Sequence, residues 1–151
     1  MSRKKIIWLV ILLVAAGGAW YGYSEYSRSN KNYQHVNPDF SMSATDLIRE
    51  FEAGDSVASH KYNGKAIEVS GNVKTIDKDE KGFYTITLGD SASLSSVRCA
   101  MDTIHKDDAA GLVKGSSVIL RGACTGFYKD DMGLGSDVIL NFCAVITKKN
   151  N

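Results

Sequence analysis

One segment constrains this chain before any other. Between Ile6 and Tyr23 the chain runs 18 residues without a charged side chain, and Arg3, Lys4 and Lys5 stand directly before it. As a helix rising ~1.5 Å per residue it reaches roughly 27 Å, close to the hydrocarbon thickness of a bilayer. Trp8, Trp20, Tyr21 and Tyr23 stand near its two ends, where aromatic rings favour the membrane interface. The basic cluster holds the N-terminus in the cytoplasm. The sequence therefore predicts a single-pass signal anchor in the cytoplasmic (inner) membrane of a bacterium, with the C-terminal domain extracytoplasmic. A cleaved signal peptide is the competing reading, with Ala16 and Gly18 at the small positions before a cut ahead of Ala19. The run is long for a signal segment and aromatic residues follow the cut, so the uncleaved anchor is the reading taken. The first cysteine is Cys99, far from the lipid-attachment position of a lipoprotein.

Beyond the basic cluster the chain carries 15 basic against 17 acidic residues. This balance excludes a histone-type nucleic-acid binder and an acidic tail. With 44% hydrophobic and 23% charged residues the chain is neither disordered nor fibrous. It divides into a basic flank (1–5), the anchor helix (6–23), a polar linker (24–42) and one folded domain (43–148).

Within the domain the apolar period changes from helical to alternating. Ser43 caps a helix that runs to Ala53, with Asp46 in its first turn, an apolar stripe of Leu47, Ile48 and Phe51, and Gly54 as its stop. A second helical turn covers Asp55–Tyr62. Alternation then predicts strands over Lys65–Ile76, Phe83–Leu88 and Ser95–Met101, a short helix over Lys106–Val113, and two more strands over Val118–Gly126 and Asp137–Ile146. Gly71 and Gly122 fall inside strands, as at barrel corners or bulges. The order of three strands, a helix and two strands is that of the five-stranded Greek-key OB-fold barrel, here mainly β (α+β), with an N-terminal helix and one preceding transmembrane helix. A five-stranded open sheet is the alternative; closure is favoured because it hides edges.

Three stretches carry a family resemblance. They are Tyr62-Asn63-Gly64-Lys65 with Glu68-Val69-Ser70-Gly71-Asn72-Val73, then Val97-Arg98-Cys99, and finally Leu112-Val113-Lys114-Gly115, Val118 to Gly126 and Asp137 to Cys143. Together they resemble the tRNA-anti-like family of OB-fold proteins over roughly Ser43 to Ile146. The resemblance implies the fold and frequent membrane or lipid anchoring. It implies no catalytic residues.

The candidate site residues follow from the barrel. OB-folds bind ligands on the outward face of their second and third strands and at the loop between the fourth and fifth. Phe83 and Arg98 are the stacking and phosphate-meeting candidates on that face, and Phe127, Tyr128 and Lys129 those of the loop. The face is otherwise Thr85, Thr87, Ser96 and Ala100, with no basic stripe. Cys99, Cys124 and Cys143 match no zinc spacing. An oxidising compartment permits one disulfide; Cys124 with Cys143 is the first choice because one turn joins their strands, although every pairing is conceivable in a barrel. His35, His60 and His105 share no metal-ligand spacing, and the turn Asp130 to Gly135 lacks the pattern of an EF-hand. No catalytic motif is present, and no cofactor or metal is expected. The membrane-anchored haem chaperone of cytochrome c maturation has a similar layout, but no His follows the last strand here. The expected function is a non-catalytic, membrane-anchored OB module with a protein or glycan partner. Single-stranded nucleic-acid binding is the alternative.

Overall fold

The computed structural model describes residues 3–26 and 31–146. Two compact units divide at residue 30. The first is helix α1, Arg3–Tyr26. Its stretch Lys5–Tyr23 is long and apolar enough to cross a membrane and has no buried residue. Among the described residues its large apolar side chains, from Trp8 to Trp20, stand exposed.

The second unit is a closed barrel. Its elements are β1 (Phe40–Ser43), α2 (Ala44–Ala53), α3 (Asp55–Tyr62), β2 (Ala66–Lys78), β3 (Tyr84–Leu88), β4 (Ser96–Met101), a 3-10 helix (Thr103–Gly111), β5 (Ser117–Lys129) and β6 (Ser136–Val145). The sheet runs β1-β2-β3-β4-β6-β5, and β2 pairs with β5 to close it. Strands β2 to β6 form the OB-fold barrel, and β1 adds a sixth strand parallel to β2.

Closure depends on β2 serving two partners. Ala66 to Asn72 pairs with β5, while Val73 to Lys78 pairs with β3. The strand turns between them at Gly71 and an irregularity at Val73/Thr75. A Cβ at Gly71 would stand 3.1 Å from Ala44 Cβ and 3.4 Å from Leu88 Cβ, so glycine lets α2 begin directly against the corner. Inside lie Ile67, Val69, Val73, Ile86, Leu88, Val97, Leu120, Val138 and Leu140.

Helix α2 has the predicted bounds and cap. Ser43 Oγ accepts from the Asp46 amide at 3.1 Å, and Leu47 and Phe51 are fully buried. The segment after β4 departs from expectation: it is a 3-10 helix that starts at Thr103 and ends at Gly111. Val113 lies beyond it and is exposed.

The linker expected over 24–42 needs correction. Residues 27–30, like 147–148 at the expected domain end, lie outside the described residues. From Lys31 onward the chain belongs to the folded unit. Tyr33 and Val36 pack on Ala66 and Ala123. Asp39 pairs with Ala66 twice, its amide donating to the Ala66 carbonyl and its carboxylate accepting from the Ala66 amide, both at 2.8 Å. Arg121 donates to the carbonyls of Tyr33, Gln34 and Val36, and also to Glu68. A guanidinium with five donors holds this polar strap where apolar contacts are few.

Candidate functional site

The outward side of β3, β4 and β6 is the face where OB-folds carry ligands. Strand pairing places Thr85 opposite Ala100 and Thr87 opposite Arg98. Arg98 in turn stands opposite Ile139. Thr85, Arg98, Ala100 and Ile139 line a shallow depression of about 250 Å³. Short side chains make its floor, because Thr and Ala leave the pleat uncovered.

Arg98 is the cation of this depression, and it is already paired. Its Nη1 lies 3.5 Å from Asp137 Oδ2. Asp137 also accepts a hydrogen bond from Ser96 Oγ. The guanidinium is half exposed, so it meets solvent with its charge balanced by a carboxylate beside it.

The five predicted ligand residues separate in space. Tyr128 stands opposite Asp137 on β5 and is exposed, and Lys129 stands opposite Ser136 beside it. Phe83 lies at the far end of the face, beyond the Thr85–Ala100 pair, and is 39% exposed. Its amide donates to Asp79 Oδ1 at 2.8 Å and its carbonyl accepts from the Asp79 amide, which closes the turn before β3. Phe127 turns inward instead. Its ring stacks on Phe51 at 5.0 Å between centroids. The reason is an irregularity in β5 between Cys124 and Gly126 that resets the alternation. Phe127 is therefore partly buried and packs against the core beside Phe51.

The cysteine pairing is also corrected. All three thiols are free and buried. Cys124 pairs with Leu140 along the strands, while Cys143 stands opposite Met101. The Cys124 thiol lies 3.7 Å from Asn63 Oδ1, and burial pushes it up to about 11. Cys143 is driven well above the ordinary thiol value of 9.0, first by burial and then by its hydrogen bond with Cys99.

Two features were not legible in the sequence. The larger hollow, about 460 Å³, opens between the start of α2, the middle of β2 and the loops at residues 89–91 and 114–115. Ser43, Thr45, Asn72, Lys74, Asp90 and Lys114 contribute to its lining. Lys74 Nζ is engaged by the carbonyls of Ser93 at 2.7 Å and Ser95 at 3.2 Å. Glycines at 71, 89 and 115 border it, and they were the one signal in the sequence. The second feature is a cluster on α2 and α3. Tyr62 Oη donates to Glu50 Oε2 at 2.5 Å, and Lys61 Nζ does so at 2.9 Å. The Tyr62 hydroxyl and then the Lys61 ammonium lower the Glu50 carboxyl below its ordinary 4.5. Burial raises the Tyr62 phenol. Tyr62 also meets Phe40 edge-on at 4.9 Å, so the cluster fastens β1 to the helices.

His105 has a fastening role too. Its Nε2 lies 2.8 Å from Asn32 Oδ1 and its Nδ1 3.2 Å from Asp108 Oδ2, tying the strap to the 3-10 helix. The candidate calcium turn is occupied by its own backbone, with Asp130 Oδ1 accepting from the Met132 amide at 2.7 Å. Among the described residues no three His, Cys, Asp or Glu side chains converge on a metal position.

A closed five-stranded barrel with this order and an open outer face defines the chain as an OB-fold protein. The profile of the tRNA_anti-like family matches residues 1–139, and the chain belongs to that family. Its fold is similar to that of a Klebsiella pneumoniae lipoprotein to which nucleic-acid binding has been ascribed, with 18% identity and a TM-score of 0.56 over 70% of this chain and 91% of that one. An Entamoeba histolytica asparaginyl-tRNA synthetase is more distant, with 16% identity and a TM-score of 0.45 over 73% of this chain and 24% of the enzyme. No curated protein matches the chain.

Proposed function

We propose that this protein is a non-catalytic binding module, held on the outer side of the cytoplasmic membrane by α1, whose β3–β4–β6 face receives a protein or glycan ligand of low charge. The observation that carries the reading is the face itself. Its floor is Thr and Ala, and its guanidinium, Arg98, is already neutralised by Asp137. A groove that tracks phosphates needs unpaired cations in series. Anchoring is supported by the exposed apolar surface of α1 and by Arg3, Lys4 and Lys5 before it.

Full-length protein in detergent, titrated with labelled single-stranded DNA and RNA across a salt series, tests the choice of ligand. Absence of salt-dependent binding is expected, while a photo-cross-linker placed at Ala100 in intact membranes captures a protein or glycan. Micromolar binding that weakens steeply with salt would transfer the face to the second reading, an oligonucleotide. That reading has its own support: the similar Klebsiella lipoprotein, and Phe83 and Tyr128 as partly or fully exposed aromatic rings.

A further inference from the structure

Cys99 and Cys143 occupy neighbouring parallel strands of one barrel wall. Cys99 stands opposite Leu140, and Cys143 stands opposite Met101, two residues further along β4. Simple alternation would point Phe142, not Cys143, into the barrel together with Val138 and Leu140. Phe142 instead takes a left-handed backbone, φ 55°, and is 39% exposed. This extra residue delivers Cys143 to the interior face that Cys99 shares. There both side chains have no solvent exposure, and the neighbouring Cys99 thiol adds to burial in raising the Cys143 thiol. The other side of Cys143 is closed by Gly122, where a Cβ would come within 2.5 Å of the sulfur. Cys124 faces Asn63 instead.

We propose that Cys99 and Cys143 are the partners of a disulfide that the chain acquires as it folds in an oxidising compartment, with Cys124 left as a free thiol. This rests on the reading that the domain lies outside the cytoplasm. The oxidant is a disulfide of the dithiol-oxidase or glutathione class. One cysteine thiolate attacks it and releases the first thiol. The second cysteine thiolate then attacks the mixed disulfide, forms the Cys99–Cys143 bond and releases the second thiol. Two cysteine thiols are oxidised, one external disulfide is reduced to two thiols, and the two cysteine protons pass to these. Exchange takes place before closure, because neither sulfur is reachable in the finished barrel. β6 sits between β4 and β5, so Cys143 remains accessible until that strand docks. Once formed, the bond is shielded from reductants until the barrel opens.

Two arms on the full-length protein test this. In the first, membranes are acid-quenched, denatured and labelled with a polyethylene-glycol maleimide. One adduct is expected without reductant and three after reduction. In the second, reduced full-length protein is refolded in detergent with oxidised glutathione. It is expected to lose the mass of two hydrogens and to yield one linked peptide pair containing Cys99 and Cys143. Cys124→Ala keeps that link, whereas Cys99→Ala and Cys143→Ala lose it. Three free thiols after refolding, or a link that includes Cys124, would overturn the pairing whatever the topology. A correct link after refolding, with three free thiols in membranes, would overturn acquisition in the cell and take the outward reading with it.

Discussion

Gly122→Ala is the most demanding substitution for this barrel. An added Cβ would lie 2.5 Å from Cys143 Sγ, 2.8 Å from Asn141 O and 3.3 Å from Cys143 Cα. Two of these atoms belong to the backbone of β6, so no rotamer change relieves them; the β5–β6 pair must separate locally. Overpacking a well-filled core costs about 1–3 kcal/mol, and backbone contacts place this site at the upper end. At ~4 °C per kcal/mol for a domain of this size, Tm falls by about 12 °C. Both tryptophans lie in α1, so unfolding of the barrel is followed by tyrosine near-UV circular dichroism of the full chain in detergent, under reductant. Cys143→Ala alone removes one buried atom and costs about 1 kcal/mol. In the double variant the sulfur contact disappears while the Asn141 O contact stays. Its loss should therefore be smaller than the sum of the singles by about 1–2 kcal/mol. A Gly122→Ala protein within ~0.5 kcal/mol of wild type, or strictly additive losses, would refute the close approach of Cys143 to β5.

Three further outcomes follow from the contacts described. Arg121→Met removes the donor that ties three strap carbonyls to the barrel; losing these charge-assisted bonds should cost about 2–3 kcal/mol and bring new protease cuts within residues 31–42. Unchanged stability and digestion would remove the strap's clamp. Phe127→Ala empties the stack on Phe51 and should cost about 3 kcal/mol, while Tyr128→Ala should move stability by less than ~0.5 kcal/mol; equal effects would return Phe127 to the surface. Glu50 has a lower carboxyl value folded than unfolded, so the native state binds fewer protons. Its contribution is complete above the ordinary 4.5 and is lost as pH falls through the depressed folded value. Tm measured from about pH 6 to about pH 3 should decline less steeply in Glu50→Gln than in wild type, and parallel curves would deny Glu50 this role.

Much of the barrel was readable from residue order. The cap at Ser43, the stripe Leu47–Ile48–Phe51 and the alternation in β2, β3 and β4 are local signals, and the structure reproduces them. Failures occurred where partners are distant in sequence. β1 has four residues, two of them serine, and exists because β2 offers it an open edge. The strap is held by Arg121, which lies 85 to 88 positions along the chain from its carbonyl partners. Irregular pairing misled the reading of inward and outward residues most. The reset between Cys124 and Gly126 turned Phe127 against the core, and the left-handed turn at Phe142 placed Cys143 on the interior face. Of the ligand candidates, Phe83 and Arg98 do lie along one sheet face, because parity holds across β3 and β4.

By itself, then, the sequence determined the apolar helix, the helix cap, the five barrel strands and the OB order, each set by side chains within a few residues of one another. Tertiary structure alone decided which face each thiol takes, which aromatic ring faces out, that residues 31–42 are folded, and that Arg98 is paired. These outcomes depend on strand register and on single-residue irregularities. One extra residue in a strand reverses the side of every side chain after it, and no local pattern records where the partner strand will impose it.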